Sequence, residues 1–232
     1  MTKVPELKEL MKAGVHFGHQ KSKWHPKMAP FIFSEKSGVH VINLEETQNQ
    51  IEIAIKFAQE TVKNGGNVLF LSTKKQAKAI VKEAAISCGM PYIISRWLGG
   101  TLTNAISVLN LVKKYRKLIK EKESGEIKKY TKKEQLQLGR EMIRLDDLIG
   151  GISNITKIPN AIFIIDVKLE KTAVLEANKM SVPIIALCDT NVNVSRVDYP
   201  IPANDDASSS IKLIVNTIAK AIKDVQTDDS SK

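Results

Sequence analysis

The sequence predicts a doubly wound α/β sandwich, a mainly parallel sheet in the middle of three layers with helices on both faces. Three observations carry that expectation. Short apolar runs, NVLFLST at 67–73, AIFIID at 161–166 and PIIALCD at 183–189, have no polar alternation, so both faces of each strand are covered. Amphipathic helical patterns separate them, as parallel pairing requires. The 232-residue chain is 43% apolar, enough for one good core without a second domain.

From the start, MTKVPELKELMKAG has no uninterrupted apolar core, and no later run approaches the roughly 20 apolar residues of a membrane span. A soluble protein is expected, cytoplasmic or made inside an organelle. FIFSEKSGVHVINL at 31–44 reads as two short strands around a Ser-Gly turn, and Asn43 with Glu46 reads as a capping box. The helix it opens carries Ile51, Ile55, Ala58 and Val62 on one face and ends at Gly65-Gly66. The strand NVLFLST, the helix KKQAKAIVKEAAISC closed by Gly89, and the strand PYIIS follow. The rhythm returns with AIFIID, EKTAVLEANKM, PIIALCD and a last helix marked by Ile211, Ile214, Ile218, Ile222 and Val225. Cys88 and Cys188 follow apolar runs and read as small buried hydrophobes.

Residues 104–149 break the rhythm. Val108, Val112, Tyr115 and Ile119 step by four, three and four, as do Leu138, Met142, Leu145 and Ile149, with a polar link between them. Two narrow seams suit an antiparallel coiled-coil hairpin that zips on itself and protrudes; packing on the sheet is the alternative. The expected organisation is one globular unit from 1–103 and 150–226 with a basic N-terminal arm, an inserted hairpin at 104–149 and a disordered tail at 227–232.

Thirty-five Lys and Arg against twenty-five Asp and Glu leave +10, more base than solubility requires and suited to a polyanion. Enzyme fingerprints are missing: there is no GxGxxG after a strand, no GxxxxGK[ST] and no GxSxG. Strand ends carry Ser72, Thr73, Asp166 and Asp189, which keep an α/β enzyme acting on a phosphorylated substrate as an alternative. Gly99-Gly100, just before a helix, reads as a turn or as a phosphate-facing backbone. His19, Asp189, Asp205 and Asp206 make a candidate zinc or magnesium site if they converge at one rim of the sheet, although no cofactor is required.

HFGHQKSKWHPK at 16–27 interleaves Lys21, Lys23 and Lys27 with Trp24 and His25, offering charges for phosphates and flat groups for bases or sugars. A solvated lysine loop with a half-buried Trp is the bland reading. Arg96 and Trp97 in SRWLGGTLTN form a second such element. The hairpin adds Lys113, Lys114, Arg116 and Lys117, and later Lys128, Lys129, Lys132 and Lys133. Three separated basic elements suit RNA gripped at several places. A free RNA-binding regulator remains possible on the same residues.

LMKAGVHFGHQKSKWHPKMAPFIF with GVHVINLEET, then RWLGGTLTN, Leu148-Ile149-Gly150-Gly151, PNAIFIIDVKLEKTAVLEANKMSVPIIALCDTN and YPIPANDDA resemble, in order and over nearly the whole chain, the second protein of the bacterial small ribosomal subunit. The resemblance implies a flavodoxin-like sandwich with a protruding coiled-coil hairpin. It also implies a structural, non-enzymatic role: binding 16S ribosomal RNA near the head-body junction and helping to dock the large messenger-recruiting ribosomal protein, with neither a membrane nor a small-molecule substrate. By motif, Lys21, Lys23, Trp24, Lys27, Arg96 and Trp97 are the implied RNA contacts. Val167-Lys168-Leu169 departs from the more polar family pattern, and no long acidic tail follows residue 226.

Overall fold

The chain was analysed as a computed structural model that describes residues 3–229. Its elements are α1 (Leu7–Lys12), β1 (Phe17–Gln20), β2 (Ile32–Lys36), β3 (Val39–Ile42), α2 (Leu44–Lys63), β4 (Val68–Leu71), α3 (Lys78–Ser87), β5 (Tyr92–Ile93), α4 (Ala105–Glu123), α5 (Lys132–Ile149), β6 (Ala161–Ile164), α6 (Lys171–Lys179), β7 (Ile184–Cys188), β8 (Tyr199–Pro202) and α7 (Ser208–Asp229).

The continuously apolar runs become one parallel sheet of order β5-β4-β6-β7-β8, all of whose β4, β6 and β7 residues are buried. Counted along the parallel strands this is the 2-1-3-4-5 winding of a flavodoxin-like sandwich. Alternate residues of each strand feed two cores. Val68, Phe70 and Phe163 pack under α2, α3 and α7, the two Phe rings meeting edge to face at 5.3 Å. Leu69, Leu71, Ile162 and Ile164 face the other side with Met28, Ala173 and Ala177.

β8 is absent from the sequence reading because Pro200 and Pro202 argue against a strand. It lies at the sheet edge, paired with β7 alone, where a residue without an N–H is tolerated. β1, β3 and β2 form a second, antiparallel sheet. Its β2–β3 turn places Ser37 and Gly38 at φ 53° and 76°, two consecutive left-handed residues whose twist matches a tight hairpin.

Local signals differ from expectation in three places. Asn43 does cap α2, accepting from Glu45 N–H at 3.1 Å, but Glu46 turns to Asn49 instead of closing a capping box. Helix α7 runs to Asp229, so 227–229 are helical where a disordered tail is expected; 230–232 lie outside the described residues. In α4 and α5, Val112, Tyr115, Leu118, Leu145 and Ile149 are buried in the cluster that holds the sheet residues Leu69 and Ile162. The base of the helical pair therefore belongs to the main core. Tyr115 bonds Asp146 across the pair, and burial followed by that carboxylate pushes its hydroxyl up to about 12.

Candidate nucleic-acid interface

The arm is laid across the carboxyl ends of the central strands and fastened by backbone. His19 N–H donates to Thr190 Oγ1 at 2.9 Å, His25 N–H to Thr190 O at 2.8 Å, and Asn204 N–H to Val15 O at 3.1 Å. Gly18 lies between: a Cβ there would stand 2.6 Å from Thr190 Cγ2 and 3.0 Å from His40 O. Only glycine lets β1 approach this closely.

Beneath the arm, at the switch point between β4 and β6 where doubly wound proteins usually hold ligands, sits an ion network. Lys74 Nζ is 2.8 Å from Asp205, 2.7 Å from Asp206 and 3.3 Å from Asp166. His19 Nδ1 is 3.0 Å from Asp189 Oδ2, and its Nε2 is 3.6 Å from Asp206 Oδ2. Burial favours neutral Lys74, but its bonds to Asp205 and Asp206 outweigh this and raise the ammonium above its usual value. His19 is raised chiefly by its bond to Asp189, while burial and then the Asp166 charge push Asp205 up to about 7. His19, Asp205 and Asp206 each offer a ligand atom within 4.8 Å of the others. Asp189 stands apart from that set, holding His19 by Nδ1 and accepting from Thr190 N–H.

The other strand-end groups are also taken. Glu170 accepts from Thr73 N–H at 2.6 Å, Ser72 Oγ from Lys74 N–H, and Asp166 from Leu169 N–H. The ligand crevice of the fold is filled by its own side chains.

Above the network, Lys23 and Lys27 are exposed and make no ion pair among the described residues. Lys21 pairs with Glu35 at 2.8 Å. Trp24 is 38% exposed, its ring 5.4 Å from that of His40. His25 is half-buried and accepts from Lys27 N–H at 3.2 Å, which shapes the turn.

The second basic element behaves differently. Arg96 is exposed, but Trp97 is only 8% exposed and its indole donates to Glu176 at 3.1 Å. Trp97 is thus a core residue, not a stacking platform. Glu176 also accepts from the N–H groups of Gly100, Leu102 and Thr103 at 2.8, 3.0 and 3.2 Å and from the Thr103 hydroxyl. Gly100, read in sequence as part of a turn or of a phosphate-facing backbone, gives its N–H to this carboxylate. Burial alone would raise Glu176, but those donors hold it below its ordinary value.

The profile of the family described as "Ribosomal protein S2" matches residues 10–225. The chain belongs to the ribosomal protein S2 family. It is similar to the "Small ribosomal subunit protein uS2" of Amoebophilus asiaticus (strain 5a2), 48% identical over 217 residues covering 94% of this chain and 69% of that protein. A protein of the same name from Coprothermobacter proteolyticus is 45% identical over 219 residues, covering 94% and 82%. An S2-family chain is a structural constituent of the small ribosomal subunit that serves translation; it is not an enzyme. Among the described residues no helix is long and apolar enough to cross a membrane.

On the helical pair of this S2-family chain, Lys114 pairs with Glu141 at 2.5 Å and Lys117 with Glu121 at 3.7 Å, and Arg116 Nε donates to Ser153 O. Lys113 is exposed and unpaired among the described residues. Lys129, Lys132 and Lys133 are exposed, whereas the Lys128 side chain lies outside the described residues. Sequence reasoning misses Lys74 and Glu176. Glu176 has a visible signal, a carboxylate on the stripe of α6 that buries Ala173, Val174 and Ala177; Lys74 has none, because its three carboxylates come from distant segments.

Proposed function

We propose that the chain binds 16S ribosomal RNA near the head-body junction of the small subunit and helps to dock the large messenger-recruiting ribosomal protein, as a ribosome-bound component in the cytoplasm of a bacterium or inside an organelle. The observation that carries the RNA contact is the fastened arm, from which unpaired Lys23 and Lys27 and half-open Trp24 project. Cations whose backbone is fixed before binding give up less entropy on meeting phosphates. Exposed Arg96 and Lys113 supply further contacts, with the part of 104–149 beyond its buried base serving as a coiled-coil arm.

His19, Asp205 and Asp206 fit a divalent cation, zinc before magnesium because one donor is an imidazole, with Asp189 orienting the ring through Nδ1. Lys74 already neutralises part of the same carboxylate group. Metal analysis of the purified chain separates the two: one zinc per chain is expected, and metal-free protein leaves Lys74, with protonated His19, to neutralise the carboxylates.

The RNA reading is tested by sucrose-gradient sedimentation of cell extract at moderate and high salt. Co-migration with the small subunit at moderate salt is expected. A position at the top of the gradient in both sinks it, and affinity for isolated RNA without co-migration indicates a regulator acting off the ribosome.

A further inference from the structure

A second basic surface lies beside the arm. Past the carboxyl ends of β6 and β7 is a cleft of about 210 Å3, floored by Val167, Val174 and Val192. Lys168, Lys171 and Arg196 stand at its rim, all exposed, and their head groups have no ion pair or hydrogen bond among the described residues.

Arg196 is not loosely attached. Asn193 Oδ1 accepts from Ser195 N–H at 3.0 Å, closing the turn that presents it, and its own carbonyl accepts from Asn178 Nδ2 at 3.0 Å, tying it to α6. The turn Val194–Arg196 packs against Pro26–Phe31, the turn that carries Lys27. The cleft therefore continues the surface of the arm.

The lysines sit where their charge is disfavoured. Lys171 is the first residue of α6 and Lys168 comes three before it, so both face the positive end of the helix dipole. Glu170 offers no relief, because its carboxylate is turned inward to Thr73 N–H. Three like charges held around an apolar floor without a counter-charge repel one another, and an anion between them reverses the sign of that interaction.

We propose that this cleft takes a backbone phosphate of small-subunit ribosomal RNA, with Arg196 forking onto two phosphate oxygens and Lys168 and Lys171 closing from the α6 side. The assignment rests on the RNA-binding reading above and adds a contact beyond the arm.

The test is filter binding of the full chain to purified 16S ribosomal RNA over about 50 to 200 mM salt. It compares wild type, Lys171→Ala/Arg196→Ala, Arg196→Lys and, as a charge-matched control on exposed α7 positions, Lys212→Ala/Lys220→Ala, with each variant's melting temperature measured to establish folding. Each lost phosphate contact lowers the salt slope by about one, so the cleft double variant, which releases the single phosphate held there, loses about one while the control keeps the wild-type slope. Arg196→Lys keeps the slope but binds more weakly, because it retains the charge and loses the fork. A wild-type slope in the cleft variant, or the same loss in the control, overturns the cleft and leaves RNA binding standing. Wild type that fails to bind overturns both.

Discussion

The arm around Trp24 and the turn around Trp97 have much the same composition, a tryptophan beside basic residues and glycine, yet the fold uses them in opposite ways. Trp24 stays 38% exposed on a fastened strand and turn, whereas Trp97 is 8% exposed with its indole bonded to Glu176. The difference comes from the partner. A carboxylate on the inner face of α6 waits behind Trp97 and captures the amides of the following turn, while the nearest carboxylates under the arm are occupied by Lys74 and His19. A basic-aromatic motif becomes surface or core according to what the rest of the chain places behind it.

The largest effect expected from breaking this contrast is on the buried side. Trp97→Ala removes a packed indole and leaves Glu176 short of a donor, a loss of about 3–5 kcal/mol. Thermal unfolding should register a drop on the order of 10 °C for a chain of this size. A loss below that of Trp24→Ala would show that the burial of Trp97 contributes little.

Glu176→Gln comes next, at about 2 kcal/mol, because an amide keeps one acceptor and turns an NH2 toward donors that need the other. Its pH dependence sharpens the assignment. Glu176 is held below its ordinary value of 4.5, so its stabilising charge is fully present above about pH 4.5 and is lost as pH falls through the lower folded value. The difference in stability between wild type and Glu176→Gln, followed by denaturant unfolding, should therefore be constant at neutral pH and narrow in acid. A gap that widens in acid contradicts the carboxylate role.

Trp24→Ala has the smallest effect on folding, within about 0.5 kcal/mol. Its consequence belongs to binding: if Trp24 stacks on a base, RNA affinity falls by about 1–3 kcal/mol while the salt slope stays. Lys27→Ala gives the complementary pattern, a slope lower by about one with unchanged melting. Equal effects of the two on slope would merge roles that the geometry keeps apart.

Local physics made much of this legible in sequence. Runs such as AIFI at 161–164 read as central strands because every residue is apolar, and the β2–β3 turn is written in Ser37-Gly38. β8 is hidden because two prolines outweigh every strand signal until the edge position is known. The convergence of His19, Asp205 and Asp206 is legible as a candidate, yet Lys74 at its centre is not, since its partners lie 92 and 131 residues away. Trp97 fails for the same reason: the carboxylate that buries it is 79 residues distant. Local pattern specifies the elements, and long-range pairing decides which of their polar groups remain free.

The two edges of the parallel sheet are both poor partners for a further strand. One is closed by β5, only two residues long, and the other by β8, whose Pro200 and Pro202 cannot donate. Neither border offers a long row of open amides, so the parallel sheet gives another chain no long template for strand addition at its edges. The central sheet is thereby closed to edge-to-edge growth by its own two outer strands, without help from any partner.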